Sequence, residues 1–311
     1  MPEGDTVLRT ARRLDQALSG RPLVRAELRW PTLGDVDLAG RTVLETRSYG
    51  KQILTRLAAD TGTGPGVRIP TASAEPLTLR SHLRMEGRWE ITRPGPARWP
   101  RAGGVTVRAV LGTDAWTAVG TWLGLLDLIP TRDEHTLLGH LGPDILAPDP
   151  DGAALARAAQ RIAARPDRTV GAALLDQTGV AGIGTMYMAE TLFLQQLSPW
   201  TPVAEVELPA ILARARRLLE HGASSATPST TGSSRRGEQN YVHARSGRPC
   251  RRCGTMIRVA PVGVAPRERP AFWCPVCQPG PAPADDGRVH GPLGSNPAVG
   301  AKRRPAGYRK R

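Results

Sequence analysis

Four cysteines carry the clearest chemistry in this sequence. Cys250 and Cys253 form one C-x2-C pair and Cys274 and Cys277 another, with 20 residues between the pairs. Each pair can present two thiolates from one tight turn, so together they supply the four ligands of a tetrahedral Zn2+. Four protein ligands leave no open coordination position, so the expected cofactor is one structural Zn2+ that folds a ribbon. In a reducing compartment this spacing favours a metal over disulfides. Arg248, Arg251, Arg252, Arg258, Arg267 and Arg269 crowd around the ribbon, a density that suits phosphate contact better than a merely solvated face. A second constellation is "DQTGVAGIGTMYMAE" (176–190), where Gly179, Gly182 and Gly184 join two helical stretches. Glycines allow close backbone approach, and a helix that starts at 185 offers free N–H groups to an anion. Taken alone, an ordinary helix–helix connection explains those glycines as well. The third is the opening "MPEGDT". By themselves, Pro2 and Glu3 are ordinary helix-start residues, a proline in the first turn and a carboxylate facing the helix dipole.

The elements that must position these residues follow from patterning. The chain has 311 residues, 40% of them hydrophobic, and a net charge of +14. That is enough for two domains plus smaller pieces, and the charge favours a polyanionic partner, nucleic acid above all. No stretch approaches a membrane span, no basic amphipathic helix rich in bulky aromatics stands out, and no apolar leader opens the chain, so a cytoplasmic protein is expected. Val7, Leu8, Ala11, Leu14 and Leu18 share one face of a helix over 5–18, stopped by Gly20 and Pro22. Alternating segments at 23–29, 42–48, 52–57, 77–83, 106–111 and 116–119 predict a β-sandwich, with 61–76 a long hairpin insertion. Helical periodicity governs 131–222, and 223–240 has the composition of a flexible loop. The ribbon occupies 241–278, and 279–311 carries seven Lys/Arg against two Asp, a disordered basic tail. The fold class is therefore α+β: an N-terminal β-sandwich with an N-terminal helix (1–130), a helical domain (131–240), the ribbon (241–278) and the tail (279–311).

The motifs occur in a telling order: "MPEGDT", "SYGKQIL" (48–54), "SHLRMEG" (81–87), "LGHLGPDIL" (138–146), "LLDQTGVAGIGTMYMAE" (174–190) and the cysteine ribbon. Together they resemble the formamidopyrimidine-DNA glycosylase/endonuclease VIII family over about residues 1–278. "MPEGDT" and "MEGRW" are most similar to the endonuclease VIII branch, as in actinobacterial members. The resemblance implies a helix-two-turn-helix in the helical domain and a bifunctional DNA glycosylase/AP lyase of base excision repair. It implies that Met1 is removed and that the Pro2 amine attacks C1′ of a damaged nucleoside to form a Schiff base. An α-amino group titrates near 8, far below lysine, so part of it is neutral at pH 7. The resemblance further implies that Glu3 is the acid/base carboxylate and that Lys51 holds the phosphate beside the lesion. Arg84, Met85, Gly184, Thr185 and Arg269 become DNA contacts, with Met85 the wedge that fills the space left by a flipped nucleotide. The implied partner is damaged DNA, duplex or single-stranded, with no membrane; a monomer is expected because a clamp on one lesion needs no symmetry.

The chain departs from the family pattern at several points. Thr185 stands where the family has asparagine, Ala271 where it has threonine or serine, and the ribbon spacer is about four residues longer than the common form. No phenylalanine wedge faces Met85. These departures bear on substrate preference: oxidised pyrimidines are favoured over oxidised purines, and the elimination is β or β,δ. Two other readings compete. A non-catalytic relic of the same fold would bind damaged or single-stranded DNA without cutting it, and an unrelated zinc-ribbon module would leave "MPEGDT" unexplained.

Overall fold

The computed structural model describes residues 2–59, 75–93 and 104–283. Most of the expected 61–76 insertion and nearly all of the expected 279–311 tail lie outside the described residues. Two compact units emerge: Met1–Arg161 with Asp176–Ile183 and Leu219–Ala226, and Ile162–Leu175 with Gly184–Leu218 and Thr227–Arg311.

The first unit begins with helix α1 (Gly4–Leu18), whose buried Val7, Ala11, Leu14 and Leu18 follow the predicted stripe. Ser19 ends it in an extended conformation, and Gly20 takes φ +76°. The Asp15 carboxylate accepts the Ser19 hydroxyl at 2.6 Å and the Thr46 N–H at 2.7 Å, tying the end of α1 to the next sheet. The strands are β1 (Arg25–Leu28), β2 (Val43–Tyr49), β3 (Gln52–Leu57), β4 (Leu77–His82), β5 (Arg88–Thr92), β6 (Val107–Gly112), β7 (Thr117–Thr121) and β8 (Leu125–Pro130). They form two antiparallel sheets, ordered β1-β6-β7-β5 and β2-β3-β4-β8. One apolar cluster joins Leu28, Ala109 and Leu111 of the first sheet, Val43, Ile53 and Leu79 of the second, and the inner face of α1. The predicted sandwich is thus present, with β5 and β8 as two strands that patterning had not separated out.

Helix α2 (Glu134–Leu138) follows β8 and anchors to the sandwich through Glu134. Its carboxylate takes Arg56 through Nε at 2.7 Å and Nη2 at 2.6 Å, the Thr78 hydroxyl at 2.6 Å and Arg47 at 3.2 Å. Burial opposes its ionisation, but the Arg56 and Thr78 hydrogen bonds and the Arg56 and Arg47 charges outweigh that and hold it at about 2. A carboxylate depressed in the folded state stabilises the fold above its unfolded value and loses that contribution as pH falls toward the folded one. Urea midpoints should therefore drop between about pH 4.5 and pH 2. A Glu134→Gln variant should lose less stability across that window than the wild type and be roughly 2 kcal/mol less stable at neutral pH. Parallel pH dependence in both proteins would remove Glu134 from the account.

The chain continues through α3 (Ala153–Ala163), α4 (Val170–Leu175), α5 (Thr185–Leu194) and α6 (Leu208–Ser224) to the ribbon strands β9 (Arg258–Val262) and β10 (Arg269–Trp273). In the second unit α5 is buried nearly all round, through Tyr187, Met188, Leu192 and Phe193. Phe193 stacks on Tyr241 with centroids 5.1 Å apart, and the Arg252 guanidinium lies 4.6 Å from its ring centre. At the heart of the unit, fully buried Glu190 accepts N–H bonds from Tyr241, Val242 and His243, each at 2.8 Å, and the Thr230 hydroxyl. Burial raises its carboxyl from the ordinary value, against those four donors. The segment expected from composition to be flexible is accordingly knit together from 229 onward. Thr230 and Thr231 both donate to the Gln239 carbonyl through their N–H groups, and Ser233 bonds Glu238.

Candidate active site

Three stretches of the first unit converge on one peptide. The Gly4 N–H donates to the Gly182 carbonyl at 3.0 Å, and a Cβ on Gly4 would stand 3.0 Å from that oxygen. Gly50, in the two-residue turn between Tyr49 and Gln52, has φ +56°, and a Cβ there would press to 2.8 Å from the Ala181 methyl. Asp144 pairs with Ala181 in a parallel bridge, with N–H···O bonds of 2.9 and 3.0 Å on either side. Gln177 fixes the shape of the turn itself: its side chain accepts the Gly182 N–H at 3.0 Å and donates to the Ile183 carbonyl at 2.9 Å. Gly182 has φ +111°, a conformation that side chains resist. Glycine is therefore favoured at 4, 50 and 182 by contact or conformation, and Gly4 and Gly50, the chain neighbours of Glu3 and Lys51, both meet Ala181–Gly182. Glu3, 2% exposed, caps α1 in an extended conformation, while Pro2 and Lys51 are half-buried.

His82 belongs with this group, although spacing alone gave no reason to single it out. It lies opposite Gln52, the neighbour of Lys51, in the β3–β4 register. Burial, then the charges of Lys51, Arg84 and Arg80, push its pKa down to about 4. The ring is neutral at pH 7, and Nδ1 accepts the Arg84 N–H at 2.9 Å, which leaves Nε2–H as a donor. Arg84 has φ +49° and drapes its side chain where a Cβ of Gly124 would be. Met85 beside it is 64% exposed. Trp122, another residue that spacing did not mark, sits two positions from Gly124 with φ +53° and stands 47% exposed. Two bulky residues in left-handed backbone on adjacent loops are stored strain of the kind found at working surfaces.

In the second unit Gly184 is the extended N-cap of α5 and Thr185 its first residue, both buried, with the Gly184 carbonyl accepting the Met188 N–H at 2.9 Å. Arg269 starts β10 opposite Val262, exposed near the turn of the ribbon. The four cysteine sulfurs all lie within 4.8 Å of one another, with Cys250–Cys277 at 3.9 Å and Cys253–Cys274 at 3.4 Å. A tetrahedron of thiolates around zinc has edges of about 3.8 Å, so the donor set fits the ion. The Arg252 and Cys277 N–H groups point at the sulfurs of Cys250 and Cys274, each at 3.4 Å, which favours thiolates.

Sequence models of two domains match this chain: the formamidopyrimidine-DNA glycosylase N-terminal domain over residues 1–119 and the H2TH domain of the same enzymes over 141–231. The chain belongs to the formamidopyrimidine-DNA glycosylase family. Among its relatives is "Probable endonuclease 8 2" of Streptomyces coelicolor, 45% identical over 294 residues, covering 93% of this chain and 98% of that one. "DNA-(apurinic or apyrimidinic site) lyase Nei2" of Mycolicibacterium smegmatis is 39% identical over 281 residues, with 89% and 99% covered. The fold matches the crystal structure of Lactococcus lactis formamidopyrimidine-DNA glycosylase non-covalently bound to DNA with an AP site. That match has a TM-score of 0.66 at 21% identity, with 90% of this chain and 100% of that chain covered. Within this family, the turn that Gly4, Gly50 and Asp144 meet lies in the matched H2TH segment.

Proposed function

We propose that this protein is a bifunctional DNA glycosylase/AP lyase of base excision repair, acting in the cytoplasm on oxidised bases, pyrimidines preferred. The observation that carries the reading is the convergence of Gly4 and Gly50, the chain neighbours of Glu3 and Lys51, on one glycine turn, in a chain whose relatives are named for this chemistry. Removal of Met1 leaves Pro2 with a secondary amine. Its lone pair forms a bond to C1′ as the C1′–base bond breaks, and the base departs with a proton. Glu3, buried beside the amine, protonates the sugar ring oxygen as the C1′–O bond opens, which leaves an iminium. The iminium acidifies the 2′ position, and loss of that proton expels the 3′ phosphate. Lys51 and the neutral His82 hold a backbone phosphate next to the reacting sugar. Met85 fills the stack while the nucleotide is flipped, and Gly184, Thr185 and Arg269 grip phosphates on the second unit. Zinc, held by Cys250, Cys253, Cys274 and Cys277, supplies a rigid ribbon for Arg269. The relatives at 45% and 39% identity are named as a probable endonuclease 8 and as a DNA-(apurinic or apyrimidinic site) lyase, which supports the lyase half of the reading. Among the described residues no helix is long and apolar enough to cross a membrane.

The decisive experiment is borohydride trapping on a duplex with one abasic site. The wild-type protein should give a covalent protein–DNA band. Pro2→Leu, whose bulk keeps Met1 in place, should give none, and Lys51→Ala should trap about tenfold to a hundredfold more slowly. DNA binding without a trapped band in the wild type would overturn the enzyme reading and leave a binding protein, which Thr185 in place of asparagine would then have to explain.

A further inference from the structure

Asp5 is the second buried carboxylate of the first turn of α1, and the mechanism above gives it no task. Only 1% of its surface is exposed, and its Oδ2 is buried with no hydrogen-bond partner among the described residues. A carboxylate oxygen taken out of water without a donor is expensive, and native proteins supply one in nearly every case. The helix dipole favours a negative charge at this position but donates no bond to that oxygen. Two backbone donors of this turn are used elsewhere, the Gly4 N–H by Gly182 and the Val7 N–H by Glu3. Three residues before Asp5 lies Pro2, whose nitrogen becomes a positively charged donor once Met1 is removed.

The geometry points to Asp5 as the counter-ion of the Pro2 amine, bonded to it directly or through one water and orienting it toward C1′. This rests on the reading of Pro2 as the nucleophile. Asp5 acts through the amine and is therefore a positioning residue.

The charged groups that neighbouring elements bring to this turn are Glu3 on its own segment and Arg9 one turn along α1. Lys51 comes from the β2–β3 turn, and Asp144 and Asp176 come from the segments that meet at Gly182. The carboxylates favour the ammonium form, and Lys51 and Arg9 oppose it. Removing the Asp5 charge therefore lowers the amine's pKa. Because the neutral amine is the nucleophile, the acidic limb of the reaction moves to lower pH. The iminium that follows has no N–H but keeps the positive charge, so Asp5 stabilises it through charge alone, and the plateau rate falls as well.

Asp5→Asn preserves shape and removes the charge. Cyanoborohydride trapping on the abasic duplex should show its acidic limb about one pH unit below that of wild type and its plateau about tenfold lower. Titrating the Pro2 nitrogen by NMR in 15N-proline-labelled protein should show the same shift, and it reads the amine whether or not the lyase works. If the Asn variant does not fold, Asp5→Ser takes its place with the same expectation. A folded variant with the wild-type Pro2 titration and the wild-type limb overturns the assignment. Failure of wild-type protein to trap would instead count against the nucleophile, with the NMR titration still deciding the role of Asp5.

Discussion

Stripping the metal from the four-cysteine cluster should unfold the ribbon and abolish specific DNA binding. Cys274 is fully buried, and Cys250, Cys274 and Cys277 belong to the same apolar cluster as Phe193, Ile257, Val259 and Phe272. The sulfurs are thus both ligands and core. Structural zinc in ribbon-sized units contributes on the order of 10 kcal/mol to folding. That exceeds what one two-stranded hairpin can supply by itself, since such hairpins are marginal in water. Metal analysis should find one zinc per chain in the wild type and less than half of that in Cys274→Ser. Binding to an abasic duplex should weaken at least a hundredfold in the variant or after chelation, with loss of near-ultraviolet dichroism from Trp273 and Trp200, whose rings meet edge-on at 4.6 Å. Full binding after complete chelation would show that the cluster is dispensable.

Much of this architecture was legible in the sequence because local rules and burial agree there. The stripe of α1 is a clean 3.6-residue pattern, and β3 falls on 52–57 as predicted because apolar residues and a Tyr-Gly-Lys turn delimit it. Two strands were not read. In β5 the alternation Arg88, Trp89, Glu90, Ile91 is present but spans only five residues. In β8 "LLDLIP" pairs only with β4 at the edge of its sheet, so one half-buried strand had no repeating pattern to announce it. Within the stretch of helical periodicity, α4 stops at Leu175 because Asp176 folds back, accepting the Thr178 N–H at 3.0 Å and its hydroxyl at 2.7 Å.

The site divides along the same line. Pro2, Glu3, Lys51 and the cysteines stand in motifs whose residues are close in sequence. The meeting of Gly4, Gly50 and Asp144 at Ala181–Gly182 is a long-range fact that no local pattern encodes. The same holds for His82, which reads as an ordinary strand residue until Lys51 and two arginines surround it. Asp5 stands out only through the burial of its carboxylate, whose Oδ2 lacks a partner among the described residues.

The loop between α6 and the ribbon shows how composition can mislead. Serine, threonine and glycine predicted flexibility, yet one carboxylate organises the segment from a distance of 40 to 53 residues along the chain. Glu190→Ala should therefore be among the most damaging substitutions in the second unit. It leaves the N–H groups of Tyr241, Val242 and His243 and the Thr230 hydroxyl without their acceptor in a site that excludes water. Each orphaned buried donor costs about 1–3 kcal/mol. The sum is several kcal/mol and rivals the whole stability of a typical domain, about 5–15 kcal/mol. Glu190→Gln keeps one acceptor oxygen but turns its amide N–H groups toward donors, so it should fall between Ala and wild type. Hydrogen exchange reads the effect directly. Amides 241–243 should exchange at least a hundredfold faster in the Ala variant, with the β2–β3 hairpin as the reference. Unchanged protection at 241–243 would mean that Phe193 stacking and the ribbon core hold the loop without the carboxylate.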